Sequence, residues 1–134
     1  MRTRKLSRTL LVVLAIGLIA TACSSSKKTN HVFTSDSQII SVKTGERFTV
    51  KIPGNQTTPY KWELNTQNFD SNKLKIGKQS FDQNKASKGE VGVGGNFVFV
   101  FKAKKTGSTK IVFNNVYIGN NSISGTTTFM VTIK

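Results

Sequence analysis

Phe97-Val98-Phe99-Val100-Phe101 decides the fold: five apolar residues in a row, all β-branched or aromatic, with no helical period around them. Such a run reads as a strand covered on both faces, central in its sheet. Working outward, the pattern becomes alternation. Phe48-Thr49-Val50-Lys51-Ile52 turns Phe48, Val50 and Ile52 to one side and Thr49 and Lys51 to the other, and Pro53-Gly54-Asn55 stops it. Tyr60, Trp62 and Leu64 alternate likewise, as do Phe129, Val131 and Ile133 at the chain end. Ile39–Val42, Leu74–Ile76 and Lys110–Phe113 add shorter candidates. About seven antiparallel strands separated by turn signals predict an all-β, immunoglobulin-like β-sandwich. The antibody-type Cys…Trp…Cys pattern is absent, so Trp62 is expected to pack in the core without a disulfide beside it.

Composition narrows the function. The 134 residues hold one Cys and one His, too few for a Cys/His zinc site, and a single Cys closes no intrachain disulfide. His31 is the only imidazole and precedes the strands, so a nucleophile–His triad has nothing to build on. The six carboxylates, Asp36, Glu46, Glu63, Asp70, Asp82 and Glu90, form no evident acid–base pair. Gly92-Val93-Gly94-Gly95 leads into a strand and not into a helix, unlike a phosphate cradle. The chain therefore reads as a non-enzyme with no cofactor and no metal.

The N-terminus reads as an address. Arg2, Arg4, Lys5 and Arg8 precede an apolar run from Leu10 to Ala20, which is short for a membrane span. Ala20-Thr21-Ala22-Cys23 resembles a bacterial lipobox, which implies cleavage after residue 22 and lipidation of Cys23. Residues 1–22 are thus expected to be a lipoprotein signal peptide, 23–36 a polar tether and 37–134 a domain held to the cell envelope, at the outer membrane, by its lipid. Lys+Arg number 20 against 6 Asp+Glu, for a net +14, and losing the four leader cations leaves +10. The lysines are scattered and do not interleave with aromatics on one face, so nucleic acid is not the expected partner and a solvated surface is. A monomer is expected.

Three uncharged loops remain: Gly54–Pro59, Gly92–Asn96 and Asn114–Ser122. In a sandwich of this connectivity they can meet at one tip. Freedom from charge suits insertion into a cleft.

Asn55-Gln56-Thr57-Thr58-Pro59-Tyr60-Lys61-Trp62 resembles the Asn-Pro-Thr-Thr-Gly-Tyr/Phe-x-Trp motif of the chagasin-type inhibitors of papain-like cysteine proteases. Gly92-Val93-Gly94-Gly95, followed by Phe99–Ala103 and Thr106-Gly107, is similar to that family's Gly-x-Gly-Gly stretch and the strand after it. The resemblance covers residues 37–134 and implies the same sandwich. It implies a reversible inhibitor whose three loops occlude the active-site cleft of a papain-like cysteine protease, with Thr57 and Thr58 over the catalytic Cys and His. Asn55, Gln56, Thr57, Thr58, Pro59 and Tyr60 would form the central loop, and Gly92, Val93, Gly94 and Gly95 one flank. Asn115, Val116 and Tyr117 would form the other, where the family carries Arg-Pro-Trp. Gln56 replaces the usual Pro and Pro59 the usual Gly, so the central loop must take its own path, because Pro cannot adopt a positive φ. The competing reading is a lipid-anchored adhesion or assembly module whose binding to acidic polymers weakens with salt.

Overall fold

The alternating residues of Arg47–Gly54 divide as their period requires. Phe48, Val50 and Ile52 are at most 2% exposed, while Arg47 and Pro53 face solvent; Thr49, on the outer side, is nonetheless buried and donates its hydroxyl to Asn30 Oδ1. The computed structural model describes residues 30–35 and 38–134. The expected signal peptide, Cys23 and most of the expected tether lie outside the described residues.

Among the described residues, eight strands build two four-stranded sheets: β1 (His31–Thr34), β2 (Ile39–Val42), β3 (Arg47–Gly54), β4 (Tyr60–Leu64), β5 (Leu74–Gln83), β6 (Gly95–Ala103), β7 (Gly107–Tyr117) and β8 (Ile123–Ile133). One sheet has the order β1-β3-β6-β5, the other β2-β8-β7-β4. A 3-10 turn, Thr66–Asn68, is capped by the Asn65 side chain, whose Oδ1 accepts from the Gln67 and Asn68 amides. The immunoglobulin-like sandwich is the fold expected from the sequence.

Phe97–Phe101 lies in β6, flanked by β3 and β5. Phe99 and Phe101 point into the sandwich, and Val98 and Val100 are half-buried on its outer face. The core joins Phe48, Phe99 and Phe101 of one sheet to Phe113 and Phe129 of the other. The Phe99 and Phe113 rings lie 4.5 Å apart, and Phe113 meets Phe129 edge-on at 5.8 Å. Each such ring contributes about 2–3 kcal/mol by leaving water. Trp62 packs against this core and donates its indole N–H to the Pro53 carbonyl at 3.2 Å, tying β4 to the end of β3.

The structure corrects the sequence reading at three places. His31–Thr34, expected in the tether, form β1. They are polar or exposed except Phe33, which packs on Phe48, so no alternation announced a strand. Two pairings are parallel, β1 with β3 and β2 with β8: β1 runs beside β3 toward Gly54, whereas β2 runs beside β8 toward Ile133, so the chain reverses direction as it passes from one sheet to the other. β5 continues to Gln83, well beyond Ile76. It is an edge strand, so only Leu74, Ile76 and Phe81 need partners inside, and its outer residues are polar.

Candidate functional site

Three connections meet at the end of the sandwich where β3 stops and β6 begins. The central one, residues 55–59, links β3 to β4 and so crosses from one sheet to the other. Asn55 organises it. Its Oδ1 accepts from the Thr57 amide at 2.9 Å and from the Thr57 hydroxyl at 2.8 Å. Its backbone carbonyl accepts from the Thr58 amide at 3.2 Å and the Thr58 hydroxyl at 2.7 Å. An Asn followed by two Thr therefore folds into a self-bonded turn. None of residues 54–60 has a positive φ, so Pro59 is accommodated where a Gly was not required. Gln56, Thr57, Thr58, Pro59 and Tyr60 are all exposed.

The same Asn55 side chain reaches the second connection, donating from Nδ2 to the Gly92 carbonyl at 2.7 Å. Gly92 has φ +71, a backbone state that Gly adopts without strain, and a Cβ there would stand 3.6 Å from the Thr57 hydroxyl. The base of this longer loop is pinned where the Asn84 amide donates to the Gly94 carbonyl at 3.0 Å. Gly94 lies against the Gly54 carbonyl, 3.3 Å from where a Cβ would sit. Val93 is half-buried.

Gly95 has a different task. It is buried, opens β6 and stands opposite Gly54 and Gln83. A Cβ would meet the Asp82 carbonyl oxygen at 2.3 Å, and Gln83 Cα and the Phe81 ring at 2.8 Å. Gly95→Ala is therefore expected to destabilise the domain by about 2 kcal/mol, through backbone displacement. A urea midpoint at the parent value would refute that packing role.

The third connection is shorter than the sequence indicated. β7 runs through Asn114, Asn115 and Val116 to Tyr117, because β4 and β8 pair with it on both sides and hold even these weak strand formers in the sheet. Val116 is buried at 6%, and Asn115 carries a buried Oδ1 that accepts no hydrogen bond within the protein. Neither presents its side chain at the tip. Tyr117 does, with its ring 5.4 Å from that of Tyr60, its cross-strand partner. The exposed turn is Ile118–Ser122. It is closed by the Asn121 amide donating to the Tyr117 carbonyl, with Asn121 itself at φ +59. The Ile118 amide donates to the Pro59 carbonyl at 2.8 Å, so this turn is tied to the central loop as firmly as the Gly92 loop is.

Two residues that sequence reading passed over stand out here. Ile118 is 53% exposed and Val91 is 95% exposed. With Tyr60 and Ile123 they bring to this end four of the seven large hydrophobic residues that are exposed among the described residues. An isolated apolar residue inside an Asn- and Gly-rich turn was the available signal. Residues 54–60, 91–95 and 117–122 contain no charged side chain. The result is a partly apolar, internally hydrogen-bonded wedge whose charges, Lys85, Lys88 and Glu90, are confined to the outer half of the second connection, with no group fitted for catalysis.

Known proteins share both the sequence pattern and the shape. The family model described as Chagasin family peptidase inhibitor I42 matches residues 41–133. No curated protein sequence matches the chain. Among solved structures, the cysteine protease inhibitor EhICP2 from Entamoeba histolytica superposes with TM-score 0.65 at 16% identity, over 78% of this chain and 95% of its own. Amebosin superposes with TM-score 0.60 at 23% identity, over 78% and 98%. PbICP-C, solved in complex with falcipain-2, gives 0.52 at 21%, over 82% and 93%. At these identities the superpositions speak for the fold, and the family match spans all but the first strand and a half of the sandwich. The chain belongs to the chagasin family of peptidase inhibitors.

Proposed function

We propose that this chain is a reversible inhibitor of papain-like cysteine proteases that inserts its three-loop tip into the active-site cleft. The observation that carries the reading is the Asn55 clamp, which joins Thr57 of the central loop to Gly92 of the second through one side chain. A tip already held in shape loses little conformational freedom on binding, and each immobilised group would otherwise subtract roughly 1 kcal/mol from affinity. Thr57 and Thr58 form the leading edge, over the protease's catalytic Cys and His. Gly92–Gly94 and Val91 line one wall; Tyr60, Tyr117 and Ile118 line the other. The tight turn at Asn55–Thr58 offers no extended segment for cleavage. That PbICP-C was solved with falcipain-2 supports the choice of protease class. The pair of tyrosines and Ile118 stand in for the family's Arg-Pro-Trp.

One copy supplies all three loops, so a monomer suffices. Lipidation at Cys23 would hold the inhibitor on the cell envelope, at the outer membrane.

Titrating residues 24–134 into papain, with trypsin as control, tests the reading. Reversible inhibition of papain alone, with the domain recovered intact by mass, is expected. Thr58→Arg places a long charged side chain at the leading edge and is expected to weaken inhibition tenfold or more without moving the thermal midpoint. Full inhibition by that variant would remove the central loop from the interface. A lack of inhibition of papain and of a panel of cathepsins would overturn the function itself.

A further inference from the structure

On the outer face of the β1-β3-β6-β5 sheet, toward the end opposite the tip, the cross-strand pairing does something costly. Arg47 of β3 stands directly opposite Lys102 of β6, and Lys102 directly opposite Lys75 of β5. Like charges at facing positions on neighbouring strands repel. With strands about 4.8 Å apart, the three stems start within about 10 Å of one another. The β-bulge between Ile76 and Gln79 brings Lys78 to the same place. These four cations line a groove of ≈ 390 Å³ with Gly77 and Val100, and no carboxylate lines it. A Cβ on Gly77 would lie 3.0 Å from the Val100 carbonyl oxygen, so the bulge sits tight on β6. Among the described residues Lys51, Lys61 and Lys73 each have a carboxylate partner, whereas none of these four does.

The neighbouring turns extend the positive face. Lys43 and Lys104–Lys105 lie beside it, because the turn before β3 is bonded to the end of β6 through Gly45 to Ala103 and Ala103 to Glu46. Glu46 accepts from the Lys43 backbone amide and its carboxylate still offsets one cation, and Asp70 is paired with Lys73, so this end stays strongly positive.

We propose that this end of the sandwich is a binding face for the phosphate groups of an anionic phospholipid surface. The placement of the chain favours a membrane over other polyanions. β1 runs parallel to β3, with His31 opposite Phe48, so the chain enters the domain at this same end, from which the segment carrying Cys23 would lead to its lipid. The tip lies at the far end of β3, seven residues or about 23 Å away. Docked by this part of the sheet face, the protein keeps its tip, at the far end of the strands, clear of the contact and open to soluble proteases.

The test needs no protease. Residues 24–134 are sedimented with vesicles of phosphatidylcholine alone and of phosphatidylcholine mixed with phosphatidylglycerol, at low and high salt. Binding is expected only to the mixed vesicles, and weaker at high salt. Each cation near such a surface is worth about a factor of five, so the triple variant Arg47→Gln/Lys75→Gln/Lys102→Gln should bind about a hundredfold more weakly. Lys61→Gln/Lys85→Gln/Lys88→Gln, an equal charge loss elsewhere, should bind nearly as the parent does. Equal losses in the two variants would overturn the proposal, leaving net charge as the cause. So would tighter binding to a DNA oligonucleotide or heparin than to vesicles. Binding of inorganic pyrophosphate that depends on the same three residues, without vesicle binding, would also overturn it in favour of a small-anion site. The base variant should unfold at the parent's temperature or above, since repulsion is relieved. Its inhibition of papain should be unchanged, so this inference and the inhibitory function fail or stand separately.

Discussion

Asn55→Ala is expected to weaken protease inhibition about a hundredfold while the domain stays folded. The side chain makes three hydrogen bonds, to the Thr57 amide, the Thr57 hydroxyl and the Gly92 carbonyl. Each is worth about 1 kcal/mol net, and about 3 kcal/mol is roughly two decades of affinity. The loss enters as disorder: without the clamp, the two loops must be fixed at the moment of binding. The strands continue on either side and the buried core contains none of these atoms, and the conformational freedom regained by the released loops offsets most of the lost bonds, so the unfolding free energy from urea titration should fall by about 1 kcal/mol at most. Asn55→Asp refines the test. It keeps the acceptor for Thr57 but sets a carboxylate against the Gly92 carbonyl, so it should release the Gly92 loop alone and give an intermediate loss. Inhibition constants and urea midpoints of both variants check this. If inhibition holds in both, the clamp is irrelevant to binding; if stability falls in step with inhibition, Asn55 belongs to the fold and not to the site.

Phe113→Ala should have the largest effect on stability. Phe113 is fully buried at the centre of the sandwich, with ring neighbours in both sheets: Phe99 at 4.5 Å and Phe101 at 6.3 Å across the gap, and Phe129 at 5.8 Å beside it. Truncation removes the element that keys the two layers together, and Phe→Ala in such a site costs about 3–5 kcal/mol. For a domain of this size that corresponds to a melting temperature lower by roughly 20 °C. Phe113→Leu should restore much of it, because most of the volume returns. Lys110→Ala, on the exposed face of the same strand, should change stability by less than about 0.5 kcal/mol. Thermal and urea unfolding of the three variants decide the matter. A loss below about 1 kcal/mol for the alanine variant would mean that the core closes over the gap and that no single ring keys the sheets.

What could be read from the chain alone follows from one property. A strand's side chains alternate whatever it pairs with, so Phe48, Val50 and Ile52, or Phe129, Val131 and Ile133, declare their buried face within their own few residues. That determined the sandwich, the central place of Phe97–Phe101 and the inward packing of Trp62. The Asn55–Pro59 turn was legible for the same reason: Asn, Thr and Pro act on their own backbone. Strands at the edges, β1 and the second half of β5, were not legible, since an edge needs few apolar residues. The end of β7 was hidden as well. Asn114 and Asn115 favour turns, and only β4 and β8 on either side keep them extended. Tertiary structure alone decided that Val116 is buried, that Ile118 takes the exposed position, and that Asn55 meets Gly92 while Pro59 meets Ile118. It alone aligned Arg47, Lys102 and Lys75, more than twenty residues apart at each step, into one row. Alternation is set by each strand for itself, whereas register is set by the partner, and both the tip and the basic end are products of register.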